Sequence, residues 1–87
     1  MKYFVYLVKC SDNSLYCGYT TDLDQRINEH NNSNKGAKYT KYRRPVKLVY
    51  SEKFNTLSEA LKREYQIKNL TRDKKEQLIK TTSLQKK

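Results

Sequence analysis

The apolar positions near the N-terminus form one dense block. Residues 3–9 are rich in aromatic and β-branched side chains. Extended, they place apolar groups on both faces, with Tyr3, Val5 and Leu7 on one and Phe4, Tyr6 and Val8 on the other. This pattern is typical of a strand covered on both sides. The polar residues 11–14 favour a turn, and residues 15–20 therefore predict the second strand of a hairpin.

Beyond the hairpin, the apolar residues recur about every 3.6 positions instead of every second one. This helical period predicts helices over 22–31, 57–69 and 72–79, with Thr21 as N-cap of the first and a capping box over 56–59 opening the second. A third strand is expected over 46–53. The order β-β-α-β-α-α predicts an α+β domain with a three-stranded antiparallel sheet flanked by three helices. The domain is expected to span 1–80, followed by a basic, frayed tail over 81–87.

The register of the hairpin depends on its loop. A two-residue loop at Asp12 and Asn13 would place Tyr6 and Tyr16 on opposite faces. A three-residue loop that includes Ser11 would pair Tyr6 with Gly18 and keep Tyr16 on the same face. The sequence leaves both registers open.

Polar side chains interrupt the apolar faces of both main helices. On a helical wheel, Arg26 and His30 lie on the sheet-facing side of the first helix. In the second helix, Glu64 and Lys68 fall in the middle of a predicted apolar stripe, which consists of Leu57, Ala60, Leu61, Tyr65 and Ile67. A buried charge costs several kcal/mol unless it is paired or holds a metal. Glu64 and Lys68 therefore form either a structural ion pair or, with Arg26 and His30, part of a site suited to phosphodiester chemistry.

Charge is distributed unevenly along the 87 residues. The chain has 19 Lys and Arg against nine Asp and Glu, a net charge of +10. Residues 1–34 hold three basic and four acidic side chains, and residues 35–87 hold sixteen and five. This asymmetry predicts a polyanionic partner, nucleic acid above all, with a merely soluble basic protein as the less favoured alternative. Residues 35–47 hold six cations and no acid, interleaved with Tyr39 and Tyr42.

Neither a membrane nor a secreted location is favoured. No apolar run approaches the ~18 residues that a membrane span needs. Cys10 and Cys17 lack zinc-ligand spacing and are too few for a disulfide scaffold. We expect free thiols in the cytoplasm, with a single hairpin disulfide as the alternative.

Several dispersed segments carry a resemblance to a known family. Phe4-Val5-Tyr6, Tyr16-Cys17-Gly18, the pair Arg26 and His30, and Glu64 occur in this order. Together they resemble the GIY-YIG nuclease domain over roughly residues 3–79. The first triplet reads Phe-Val-Tyr where the family has Gly-Ile-Tyr. The chain is most similar to small stand-alone bacterial members, which are related to the N-terminal nuclease module of the UvrC repair subunit.

The resemblance implies a role for each matching residue. Tyr6 would act as general base or position the attacking water, Arg26 would stabilise phosphoryl charge, and Tyr16 and His30 would support Tyr6. Glu64 would anchor one divalent metal ion, Mg²⁺ or Mn²⁺. With the basic segment included, the predicted nucleic-acid contacts are Gly18, Lys38, Tyr39, Lys41, Arg43, Arg44 and Lys68.

The expected function is metal-dependent endonucleolytic cleavage of DNA, either structure-specific or related to repair. DNA is favoured over RNA, and a protein partner or a homodimer would supply specificity. The first alternative is a catalytically silent nucleic-acid-binding module, which would have no use for a metal at Glu64. The second is a basic structural protein whose tyrosines are ordinary core residues.

Overall fold

The computed structural model describes residues 1–32, Lys35 and residues 38–85. In chain order its elements are β1 (Tyr3–Lys9), β2 (Leu15–Thr20), α1 (Leu23–Asn32), α2 (Lys38–Lys41), β3 (Lys47–Phe54), α3 (Leu57–Lys68) and α4 (Arg72–Gln85). The three strands form one antiparallel sheet in the order β2-β1-β3. The predicted α+β fold with its β-β-α-β-α-α order is confirmed, with one additional short helix, α2.

Strand β1 lies in the centre of the sheet and is covered on both faces, as its apolar run predicts. Val5 and Leu7 pack with Cys17, and with Ala60 and Ile67 of α3. Tyr6 and Val8 pack on the opposite side, with Cys10, Val46 and the α1 residues Leu23 and Ile27. We call these two sides of the sheet the α3 face and the α1 face. Cys10 and Cys17 lie on different faces, and both are free thiols, so the hairpin disulfide is excluded.

The hairpin adopts the register with the three-residue loop. Tyr6 pairs with Gly18, and Val8 pairs with Tyr16. The Asn13 amide donates to the Cys10 carbonyl at 3.0 Å, and Asn13 has a φ of 68°. A turn that ends in a left-handed residue is a common way to close three-residue hairpin loops. The turn thereby places Tyr6 and Tyr16 on the same face of the sheet.

Helix α3 is rotated relative to the predicted stripe. Ala60 and Ile67 are fully buried, whereas Leu57, Leu61 and Tyr65 are 39%, 40% and 72% exposed. The guanidinium of Arg63 binds the Glu52 carboxylate of β3 at 2.9 Å, so the Arg63 side of the helix faces the sheet instead. The predicted stripe was therefore wrong for three of its five members. Tertiary pairing overrode the apolar pattern.

Helix boundaries differ from the prediction in three places. Asp22, rather than Thr21, caps α1, because its carboxylate accepts from the Gln25 amide at 3.1 Å. The single turn α2 was missed, since four residues are too few to show a period. Helix α4 continues to Gln85 through most of the predicted tail, and residues 86–87 lie outside the described part. Thr56 caps α3 as predicted.

Within the described ranges, no helix is long and apolar enough to cross a membrane.

The left-handed backbone at Asn13 predicts a residue-specific stability effect. Asn13→Val should lower the free energy of unfolding by about 1–2 kcal/mol, because a β-branched residue is disfavoured at positive φ. Asn13→Gly should be neutral or stabilising. Urea unfolding measures both. The matched control is Ser11→Val in the same exposed loop, and an equal loss in Ser11→Val and Asn13→Val would contradict the role of the turn.

Candidate active site

A buried chain of three polar side chains joins β1, α1 and α2. The Tyr6 hydroxyl lies 2.8 Å from Nε2 of His30, and Nδ1 of His30 lies 2.8 Å from Oγ1 of Thr40. The side chains of all three are almost completely shielded from solvent, with at most 1% exposure. Such a network is stabilising only when each member has a partner, which this geometry provides.

The protonation state of this chain follows from its burial. Burial lowers the pKa of His30 to about 4, with the Arg26 charge acting in the same direction. Burial raises the pKa of Tyr6 to about 12, although the hydrogen bond from Arg26 opposes it. At neutral pH the imidazole is therefore neutral and the phenol is protonated. Because the Tyr6 oxygen accepts from Arg26, we assign the Tyr6 O–H as donor to Nε2, and in this tautomer Nδ1 carries the ring proton and donates to Thr40.

Arg26 lies at the edge of this buried chain. Its Nε donates to the Tyr6 oxygen at 3.4 Å, while Nη1 donates to Glu29 Oε1 and to the Lys35 carbonyl, both at 2.9 Å. The Arg26 side chain remains 25% exposed. The cation is thus held beside the phenol by fixed partners and still reaches solvent, which suits a group that contacts a phosphate.

Gly18 gives the Tyr6 ring its position across β2. A Cβ atom at Gly18 would lie 2.6 Å from the Tyr6 hydroxyl oxygen and 2.8 Å from Cζ. It would also approach Tyr16 Cε2 at 3.3 Å. These atoms belong to rings held by other contacts, so no flexible side chain can yield. The close approach requires glycine at this position.

Tyr16 begins a column of stacked groups that covers His30. Its ring meets the His30 ring edge to face at 5.5 Å between centroids, and Tyr39 stacks on Tyr16 at 5.7 Å. The Arg43 guanidinium lies 4.0 Å from the centre of the Tyr39 ring and pairs with Asp12 at 3.1 Å. Arg44 donates to the His30 carbonyl at 2.5 Å, at the end of α1.

The predicted nucleic-acid contacts therefore divide into three groups. Arg43 and Arg44 bind groups of the protein itself. Lys38, Tyr39 and Lys41 of α2 are exposed, and so is Lys68. Gly18 is buried beneath the tyrosine rings. The exposed members are the ones placed to meet a ligand in this conformation.

Glu64 lies on the α3 face, whereas Tyr6, Tyr16 and Tyr39 form a tyrosine cluster around His30 on the α1 face. The Glu64 carbonyl accepts from the Cys17 thiol at 3.9 Å, which places it at β2 on the α3 face. Its carboxylate is 15% exposed and 3.5 Å from the Lys68 ammonium, which is 51% exposed. Within the described residues, no hydrogen bond or ion pair joins Glu64 to Tyr6, Arg26 or His30. The predicted Glu64–Lys68 ion pair is present, but the Lys68 side chain is half exposed to solvent.

A metal at Glu64 would have a single protein carboxylate. The described ranges hold no group of three His, Cys, Asp or Glu side chains able to bind one ion. Mg²⁺ commonly keeps several waters and takes one or two carboxylates plus substrate phosphates. The residues present therefore fit a weakly held Mg²⁺ or Mn²⁺, and they do not fit a metal cage made by the protein alone.

Fold and residue order identify the class of protein. The profile of the GIY-YIG catalytic domain, a domain of the GIY-YIG nuclease superfamily, matches residues 2–77. The chain belongs to the GIY-YIG family.

The proteins to which this chain is similar are small bacterial members of this family. A UPF0213 protein of Staphylococcus saprophyticus is 62% identical over 78 residues, covering 90% of this chain and 94% of the relative. One of Staphylococcus aureus is 63% identical over the same length. The solution structure of a UPF0213 protein from Bacillus halodurans is 49% identical, with a TM-score of 0.61 over 93% of this chain and 85% of that one. A structure from E. faecalis is also 49% identical, with a TM-score of 0.66 over 97% and 88%.

Thr40 is the site residue that sequence reasoning missed. It is the hydrogen-bond partner of His30 Nδ1, yet it occupies a short turn with no periodicity, among cations that drew attention to charge instead. A threonine between Tyr39 and Lys41 carries no sequence signal of burial. Only the packing of α2 against the end of α1 shows its role.

The buried neutral imidazole predicts a pH-dependent stability. The pKa of His30 falls from its ordinary 6.5 to about 4, so the unfolded chain binds this proton more tightly. The corresponding stabilisation, roughly 3 kcal/mol, is complete above about pH 6.5 and is lost as the pH falls towards 4. The free energy of unfolding of the wild type should therefore decrease between pH 6.5 and 4.5. That of His30→Gln should change much less.

NMR gives a check that needs no variant. His30 is the only histidine in the chain, so its imidazole signals are unambiguous. They should not titrate between pH 5 and 8. A midpoint near 6.5 would show an imidazole in water and would contradict the buried hydrogen-bonded chain.

Proposed function

We propose that this protein is a metal-dependent endonuclease that hydrolyses phosphodiester bonds in DNA, in structure-specific cleavage or repair. The observation that supports this most is the chain from Tyr6 through His30 to Thr40, with Arg26 beside the phenol. A purely structural tyrosine needs one partner. This one has a proton acceptor on one side and a cation on the other.

The geometry suits proton removal from water without a free tyrosinate. The Tyr6 oxygen donates to His30 and accepts from Arg26, which leaves one lone pair for an attacking water. As the water oxygen bonds to phosphorus, its proton passes to the Tyr6 oxygen. The Tyr6 proton passes to Nε2 of His30 at the same time, and the bond to the leaving oxygen breaks, with solvent supplying the proton that the leaving alkoxide takes up. The negative charge of the bound phosphate favours the imidazolium that results.

Arg26 and Glu64 would serve the phosphoryl group. Arg26 reaches solvent beside the phenol and would stabilise charge on the phosphoryl oxygens. The Glu64 carboxylate would hold Mg²⁺ or Mn²⁺, which supplies further charge neutralisation at the scissile phosphate. Lys68 pairs with Glu64 at 3.5 Å and would release it when the metal binds. Lys38, Tyr39 and Lys41 would contact the strand near this phosphate.

Two observations favour a second candidate, a catalytically silent nucleic-acid-binding module. Glu64 already has a cationic partner, and Tyr6 is only 1% exposed. Substrate would have to enter past the half-buried Tyr16 and Arg26 before reaching the phenol. A module that only binds nucleic acid would need neither a metal nor an accessible Tyr6. Variants of Tyr6 and Glu64 distinguish the two.

Tyr6→Phe tests the proton path. It keeps the ring and removes the hydroxyl, so cleavage of branched or flapped DNA with Mn²⁺ should fall by about 10²–10⁴-fold. Loss of the donor to His30 should also cost about 1–3 kcal/mol of stability. Gel assays well below the melting temperature separate the two effects. Tyr3→Phe, on the same strand but the α3 face, should cleave normally, and wild-type cleavage by Tyr6→Phe would contradict the mechanism.

Glu64→Gln tests whether the Glu64 carboxylate holds a metal ion that cleavage requires. Cleavage should be lost at all Mn²⁺ concentrations, while DNA binding in chelator persists. The free energy of unfolding should change by less than about 1 kcal/mol, because Lys68 is half solvated and loses little. Glu59→Gln, an exposed carboxylate on the same helix, should retain cleavage. A large drop in stability, with no metal effect on the wild type, would assign Glu64 to a structural pair.

A further inference from the structure

A small cavity lies between the turn end of the hairpin and α4. Its volume is about 130 Å³. Lys9 and Leu15 line it from the sheet, and Arg72, Glu76, Ile79 and Lys80 line it from α4. The α4 residues follow a spacing of four, seven and eight from Arg72, so they share one face of that helix.

The charges of this cavity are out of balance. Arg72 Nε binds Glu76 at 2.6 Å, and this hydrogen bond is the main reason why the pKa of Glu76 is lowered, with Lys9 and Lys80 acting in the same direction. In the described ranges, no hydrogen bond or ion pair holds the ammonium group of Lys9 or Lys80. One carboxylate thus faces three cations.

A fourth cation adds to the imbalance. Lys47 of β3 lies directly opposite Lys9 in the β1–β3 ladder. Residues that oppose each other in antiparallel strands share a face with their Cβ atoms about 5 Å apart, and like charges there are destabilising. An anion bound at this end of the sheet would relieve that repulsion.

The remaining lining strengthens such an interaction. Leu15 and Ile79 are half-buried apolar side chains that give the cavity an apolar wall. An ion pair formed against an apolar wall experiences a lower effective dielectric constant than one in open solvent. The cavity therefore combines unpaired ammonium groups with partial shielding.

We propose that this cavity, the hairpin cavity, binds a backbone phosphate of a nucleic-acid strand. The proposal rests on the proposed nucleic-acid substrate. Leu15 points to the α3 face, which is also the face on which Glu64 lies. Lys68 and Lys75 act electrostatically on Cys17 on that same face. A strand that leaves Glu64 along α4 would pass these lysines and reach the hairpin cavity.

The test compares the salt dependence of binding in chelator, where no cleavage occurs. Lys9→Gln/Lys80→Gln should flatten the slope of log K against log salt for a single-stranded oligonucleotide by about 1, since one phosphate contact is lost. Lys53→Gln/Lys62→Gln removes two exposed ammonium groups outside the cavity and should leave the slope closer to that of the wild type. Lys9→Arg/Lys80→Arg should restore the wild-type slope.

NMR titration with inorganic phosphate separates the two sources of the ligand. In the wild type, amide shifts should change at Leu15 and Ile79, and the double Gln variant should lose them. Shifts with phosphate but equal slopes for both Gln variants would overturn the nucleic-acid assignment. No shifts and equal slopes would overturn the site. A wild type that binds through the cavity but never cleaves would contradict the nuclease and leave this inference standing.

Discussion

The hydrogen bond between the Tyr6 hydroxyl and the His30 imidazole is the constraint around which the α1 face is arranged. It joins the central strand to the first helix in a region where both side chains are almost completely shielded from solvent. Neither polar group can stay buried without the other, because an unpaired polar atom there costs far more than a paired one gains. Glycine at position 18 makes room for the phenol, and Thr40 pairs with the imidazole from the other side.

The burial of Tyr6 and His30 also sets the protonation state of both side chains. Burial drives the phenol towards its acid form and the imidazole towards its base form, which is the pairing that a proton relay from water needs. The covering column of Tyr16, Tyr39 and Arg43 keeps solvent away from it. Catalytic competence thus depends on how substrate reaches a phenol that the apo fold shields.

The residues of the proposed site lie on both faces of the sheet. The α1 face holds the tyrosines, the imidazole and Arg26. The α3 face holds Glu64, Lys68 and the basic side of α4. Edge strand β2 separates them, with Gly18 turned to one face and Cys17 to the other. A nucleic-acid strand that crosses this edge would meet both the relay and the metal ligand.

The sequence alone determined the elements whose signals are local. The apolar run of residues 3–9 specifies a central strand, because both its faces need cover. The capping box at Thr56 specifies where α3 begins. Positions 26 and 30 share the sheet-facing side of α1 through the helical period, and the family triplets indicated the tyrosines and Gly18.

Only the tertiary structure decided the features that depend on distant partners. Asn13 selected the hairpin register through a left-handed turn that the residue types merely allow. Helix α3 turns Arg63 towards Glu52 of the sheet and leaves Leu57, Leu61 and Tyr65 exposed, against the apolar pattern. Thr40 and Arg44 acquired their roles from the end of α1, which no local spacing encodes. Periodicity reports which side of a helix is apolar, whereas long-range pairing decides which side finally faces the sheet.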